Sequence, residues 1–115
     1  LNQINGLVEL FNKSKGEIIF LLDGDDTFRK NKLSFIFQLF LKNKNLQFIQ
    51  DIPFLNSKNK LMYLKPKKKD YSIWPRFYPT SCISLRRNFF VNFLKFIEKN
   101  KFPHLEIDAR LSIFA

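Results

Sequence analysis

Residues 16–33 read GEIIFLLDGDDTFRKNKL. Within this stretch Ile18 to Leu22 form an unbroken apolar run with β-branched members, the pattern of a strand covered on both faces and hence of a parallel sheet. Three aspartates, Asp23, Asp25 and Asp26, follow at once. Beyond them Leu33, Ile36, Phe37, Phe40 and Leu41 recur at helical spacing and predict a helix from about Arg29 to Lys42. Upstream, Ile4, Leu7, Val8 and Phe11 mark an amphipathic helix, with Ser14 and Gly16 as its stop signal. Helix, buried strand, acidic turn and helix together predict an α/β unit. In open sheets of that class ligands bind beyond the carboxyl ends of the strands, so the acidic turn is a candidate site.

The chain has 115 residues, enough for one modest core, and is 45% apolar with fifteen Phe, so a packed body is expected rather than a disordered tail. Twenty Lys and Arg against ten Asp and Glu leave a net charge of +10. A basic balance of this size invites a nucleic-acid reading. Here, however, the lysines run throughout the chain, and the one dense block, Lys65 to Lys69, ends in Asp70 and looks like an exposed loop. The joint excess of Lys, Asn, Ile and Phe also follows from AT-rich coding. The expectation is no nucleic-acid partner, with peripheral contact with an anionic membrane as the charge-driven alternative. No apolar run approaches the roughly 18 residues that span a bilayer, and the lone Cys82 forms no internal disulfide, so a cytoplasmic location is expected, including the inner face of the membrane. Cys82 lies in the alternating stretch TSCISL and reads as a small core residue.

After Asn45 shorter elements are predicted: a strand at Leu46 to Gln50, an irregular segment around Pro53, a strand near Leu61 to Leu64, and an aromatic loop at Tyr71 to Pro79. Thr80 to Leu85 alternates like a strand. Asn88 is a candidate cap for a helix carrying Phe89, Phe90, Phe93, Leu94 and Ile97, and Leu105 to Ala115 begins another helix.

Three carboxylates behind a strand can bind a hard divalent cation, Mg²⁺ or Mn²⁺, which prefers oxygen ligands and shares them with substrate phosphates. Gly24 lets the backbone approach a ligand or take a positive φ. The structural alternative is that Asp25, Asp26 or Thr27 caps the next helix. One aspartate suffices for a cap, and three concentrate more negative charge than capping requires.

Asp23-Gly24-Asp25-Asp26-Thr27 fits the D-x-D-x-T signature of the haloacid dehalogenase-like phosphatases, where Asp23 would be the nucleophile and Asp25 the acid/base. That family also needs a later Lys and an acidic pair, and the later carboxylates here, Asp51, Asp70, Glu98, Glu106 and Asp108, are not adjacent. A longer match runs from Lys15 to Leu33. The string K-G-E-I-I-F-L-L-D-G-D-D-T-F-x3-K-L resembles the family 2 glycosyltransferases of the GT-A fold, in which a strand runs into D-x-D-D, then an aromatic, then K-L opening a helix. Pro79 to Phe90 (PTSCISLRRNFF) is similar to that family's P-T-S strand followed by Arg and a helix. Glu106-Ile107-Asp108 looks like the acidic segment that carries its catalytic base, although the usual pattern there is adjacent Glu-Asp.

The resemblance implies an α/β fold, a partial GT-A, Rossmann-like domain lacking its N-terminal strands, as one domain over residues 1–115. It implies an inverting glycosyltransferase that moves a sugar from a nucleotide-sugar donor to a hydroxyl on a glycan or lipid-linked acceptor. Asp23 and Asp25 would hold Mg²⁺ or Mn²⁺ against the donor diphosphate, Asp26 would sit near the donor sugar, and Asp108, or Glu106 in its place, would be the base. Trp74 and Tyr78 are candidates to stack on an acceptor sugar, and Arg86 and Arg87 to pair with phosphate, with loop packing and an exposed strand end as their structural alternatives. The part of the family's sheet that recognises the nucleobase has no counterpart here. The expectation is therefore a fragment of a longer transferase, inactive alone and prone to aggregate through its open sheet edge. A non-enzymatic basic binding module is the remaining alternative.

Overall fold

The computed structural model describes residues 3–57, 60–63, 78–97 and 105–115. The basic block Lys65 to Lys69, the aromatic loop as far as Phe77 with Trp74, and Phe102 to His104 lie outside the described residues. In chain order the elements are α1 (Gln3–Lys13), β1 (Ile18–Phe20), α2 (Lys32–Lys42), β2 (Phe48–Gln50), β3 (Phe54–Ser57), β4 (Lys60–Tyr63), a 3₁₀ turn (Thr80–Cys82), β5 (Ile83–Arg86), α3 (Arg87–Ile97) and α4 (Ile107–Phe114). The result is a mixed α/β architecture around a three-stranded sheet of order β1-β5-β2, with β3 and β4 as a separate antiparallel pair.

The sheet departs from the parallel arrangement expected from the apolar run. Both β1 and β2 pair antiparallel with β5, in the registers Ile19↔Leu85 and Ile49↔Ser84. An uninterrupted apolar strand reports cover on two faces and nothing about the direction of its neighbours. Since β1 and β2 both oppose β5, they run parallel to each other, joined through α2, and the late strand β5 has inserted between them. Pairing continues past β1, where Leu21 N–H donates to Ile83 O at 3.1 Å.

The central strand β5 is buried on both sides, whereas β1, expected to be covered on both faces, is half-buried at Ile18 to Phe20 and exposed at Leu22. Ile83 and Leu85 point to one face and are fully buried with Leu21, Phe90, Phe93, Ile107 and Leu111; Ile4, Leu7 and Phe11 of α1 pack on this cluster together with Phe48 and Phe114. Each fully buried side chain of this size contributes about 1.5–3 kcal/mol of transfer free energy. Phenylalanine makes this layer continuous, since ring centroids lie 4.7 Å apart for Phe11–Phe90, 5.5 Å for Phe48–Phe89 and 5.1 Å for Phe89–Phe114. The alternate residues of β5, Ser84 and Arg86, face the other side, where α2 buries Ile36 and Phe40.

Helix ends differ from the sequence reading by one to three residues. α2 begins at Lys32 with Asn31 as N-cap residue and no side-chain cap bond, so none of Asp25, Asp26 and Thr27 caps it. α3 begins at Arg87, one residue before Asn88. Thr80 to Cys82 wind as a 3₁₀ turn, and the strand starts only at Ile83.

Candidate functional site

The acidic turn hangs from the end of β1. Leu21 is buried and held to β5, Leu22 is exposed, and Asp23 is half-buried at the point where the strand leaves the sheet. Asp26 N–H donates back to Asp23 O at 3.1 Å, closing a four-residue turn. Gly24 stands within it outside the left-handed region, and a Cβ there would meet nothing within 4 Å, so the turn does not require glycine for its own backbone. Asp25 and Asp26 are exposed. Phe28 then folds back on Phe20, ring centroids 6.5 Å apart, and the Lys32 ammonium lies 4.4 Å from the Phe28 ring centroid. The aromatic and the Lys of the first sequence block thereby form the wall beside the turn.

Besides the β1–β5 ladder, the second block reaches the acidic turn itself through the Ser81 hydroxyl. Asp23 N–H donates to Ser81 Oγ at 2.9 Å, a contact across 58 residues. The third block arrives on α4. Asp108 lies in its first turn, half-buried, with Oδ1 accepting from Ala109 N–H at 2.6 Å, while Glu106 precedes the helix and is exposed. Charges in a first helical turn are favourable in their own right. Asp108 is also close enough for its charge to reach Asp23. The Asp23 carboxyl is raised above its ordinary range, first by burial and then by the negative charges of Asp26, Asp25 and Asp108.

A cavity of about 550 Å³ connects these parts, lined among others by Leu7, Leu10, Ile19, Asp23, Thr80 and Ile107. It runs along β1 against α1, and its lining is apolar apart from Gln3, Ser14, Asp23 and Thr80. A second cavity of about 160 Å³ under the turn is lined by Asp26, Arg29, Lys32, Asp51, Ser81 and Cys82 among others.

Among the described residues no group of three or more His, Cys, Asp or Glu is arranged to hold a metal ion. Asp23, Asp25 and Asp26 therefore do not form a ready cage. The donor chemistry nonetheless suits a hard cation of the Mg²⁺ class, which takes one or two protein carboxylates and completes its shell with water and phosphate oxygens.

Arg86 and Arg87 are half-buried rather than an exposed strand end, and both are engaged with neighbouring backbone. Arg86 donates to Leu46 O and Phe40 O, both at 2.8 Å, and to Glu17 Oε1 at 2.6 Å. Arg87 donates to Gly16 O at 2.8 Å and to Ser14 Oγ at 2.7 Å, and its guanidinium lies 4.5 Å from the Phe11 ring centroid. They bind the carboxyl ends of α2 and α1, where unsatisfied carbonyls collect. Tyr78 is half-buried, and its carbonyl accepts from Gln50 Nε2 at 3.5 Å.

Cys82 is buried, as its sequence setting implied, and its thiol is pushed up to about 12 by burial first and then by the charge of Asp51. Among the described residues no helix is long and apolar enough to cross a membrane. The residues that sequence reasoning missed are Asp51, Ser81 and Lys32 as a set. Lys32 and Ser81 stood inside motif blocks without a role, and nothing local signals that they meet. Compared with protein-family models, with curated proteins and with solved structures, the chain matches none.

Proposed function

We propose that the chain carries the metal- and diphosphate-binding part of an inverting glycosyltransferase of GT-A type, acting on a nucleotide-sugar donor and a hydroxyl of a glycan or lipid-linked acceptor. The observation that carries this reading is convergence: Asp23, Thr80 and Ile107, one from each of the three sequence blocks that resemble that family, line one cavity, and the charge of Asp108 reaches Asp23. Blocks that are separate in sequence and meet at the end of a strand are what a shared site requires.

In this reading Asp23 and Asp25 hold Mg²⁺ or Mn²⁺ and Asp26 borders the donor sugar. The cation, when bound, supplies Lewis-acid stabilisation of the charge that develops on a departing nucleoside diphosphate. The chain's own residues do the rest. Asp23 is oriented by the backbone of the turn, and Leu7 and Ile19 give its cavity an apolar lining. Asp108 accepts the proton of the incoming hydroxyl. Its half-buried place near Asp23 favours it over exposed Glu106 as the base.

Isothermal titration of the full chain with Mn²⁺ and uridine diphosphate tests the reading. Heat that depends on the metal and disappears in Asp23→Ala/Asp25→Ala is expected. Binding that survives the double substitution, or no metal-dependent heat in the parent, refutes it. If the affinity is instead insensitive to the aspartates and collapses with added salt, a basic binding surface explains the charge better.

A further inference from the structure

Beneath the acidic turn, side chains from three elements meet. Ser81 uses both of its oxygens: the hydroxyl accepts Asp23 N–H at 2.9 Å, and the carbonyl accepts Lys32 Nζ at 2.6 Å. Lys32, the first residue of α2, also pairs with Asp51 just beyond β2, at 3.1 Å. The side chains of Lys32 and Asp51 are only 13% and 29% exposed, and Ser81 is buried. Asp51 is fixed in turn by its own N–H, which donates to Cys82 O at 2.9 Å.

The sheet does not depend on the Ser81 hydroxyl. β1 is held to β5 by its own register and by Leu21 N–H on Ile83 O. What the hydroxyl adds is the position of the next backbone amide but one, that of Asp23. A carboxylate on a one-carbon stem has two torsions, so its reach is decided largely by where its backbone is held. Productive sites tolerate errors of about half an ångström in such placements.

We infer that Ser81, Lys32 and Asp51 form a clasp that positions the Asp23 carboxylate for its ligand. The inference rests on the functional reading above, in which Asp23 binds a cation with a nucleoside diphosphate. The three are positioning residues. Ser81 touches the Asp23 backbone, Lys32 holds the Ser81 carbonyl, and Asp51 holds Lys32.

Two readouts on the full chain test it: Mn²⁺ affinity in the presence of uridine diphosphate, and the exchange rate of the Asp23 amide proton by NMR, which needs no metal. Outer partners of metal ligands typically carry a factor of about 10–100 in affinity. Ser81→Ala is expected to weaken Mn²⁺ binding about tenfold and to speed exchange at Asp23. Ser81→Thr, which keeps the hydroxyl, is expected to restore both, and Lys32→Met to weaken binding while the thermal transition shows a folded chain. Unchanged Asp23 exchange in Ser81→Ala overturns the clasp whatever the metal does. Faster exchange with unchanged Mn²⁺ affinity, while Asp23→Asn abolishes binding, overturns the positioning role and leaves the functional reading standing. Mn²⁺ affinity indifferent to Asp23→Asn refutes the functional reading and the clasp with it.

Discussion

Replacing Arg86 separates contacts that hold the fold from one that does not. Its side chain is 14% exposed and donates to two backbone carbonyls, Phe40 O at the carboxyl end of α2 and Leu46 O at the approach to β2. It also pairs with Glu17, whose side chain is 79% exposed. Hydrogen bonds from a charged donor contribute about 1.5–3 kcal/mol each. An ion pair with one partner in water contributes about 0.5 kcal/mol or less. Arg86→Met keeps the apolar stem and strands both carbonyls, so a loss of about 3 kcal/mol is expected. Arg86→Lys offers one ammonium for two acceptors in different directions and is expected to lose about half of that. Glu17→Gln is expected to lose no more than about 0.5 kcal/mol, and less in high salt. Urea denaturation followed by far-ultraviolet circular dichroism measures all three. A fall in midpoint of about 1.5–2 M for Arg86→Met corresponds to 3 kcal/mol at the usual slope for a domain of this size. If Arg86→Met loses less than about 1 kcal/mol, or if Glu17→Gln loses as much as Arg86→Met, the carbonyl contacts are not what stabilises this corner and the ranking above is wrong.

Asp23→Asn should raise the melting temperature at pH 7 while removing any rise caused by Mn²⁺. A carboxyl raised in the folded state makes stability fall as pH climbs from the ordinary aspartate range through the raised value, so the gain should vanish below that range; a lower melting temperature for the variant at pH 7 contradicts it. Ser84 Oγ is buried without a hydrogen-bond partner among the described residues, so Ser84→Ala should stabilise by about 1 kcal/mol in the same urea assay, and a destabilisation of that size would reveal a partner. With its thiol pushed up to about 12, Cys82 should be alkylated by iodoacetamide at pH 8 on the order of a thousandfold more slowly in the folded chain than in urea, and comparable rates would contradict its burial.

Apolar spacing made α1, α2 and α3 legible: in α3 the spacing of Phe90, Phe93 and Ile97 records the buried stripe directly, whereas in α2 the predicted stripe is buried only at Ile36 and Phe40, with Leu33, Phe37 and Leu41 exposed. The same logic located β1 and the burial of Cys82. Strand direction was not legible. Ile18 to Leu22 carry the mark of two covered faces, and the neighbour that sets the direction lies at Ile83 to Arg86, beyond the reach of any local pattern. The start of α2 moved from Arg29 to Lys32 because Phe28 is drawn onto Phe20 and the intervening residues are used to bring it there. Arg86 and Arg87 read as charges at a strand end, and only the arrival of two helix termini beside them turns them inward. In the candidate site the three aspartates were legible as a cluster. The clasp was not, since Lys32, Asp51 and Ser81 are unremarkable singly and become a unit only through tertiary contact.

The central place of β5 has a kinetic consequence. Every hydrogen-bonded ladder in the three-stranded sheet has β5 as one partner, so β1 and β2, although made early and joined by a helix, have nothing to pair with until Ile83 to Arg86 exist. During synthesis the amino-terminal part must wait with Ile18 to Leu22 uncovered, and closure then requires contacts across more than half the chain, a step that slows folding and favours chaperone capture. A ribosome stalled before Ile83 should therefore display a protease-sensitive nascent chain, and release of the chain with α3 and α4, which bring Phe90, Phe93, Ile107 and Leu111 into the core, should convert it to a resistant one.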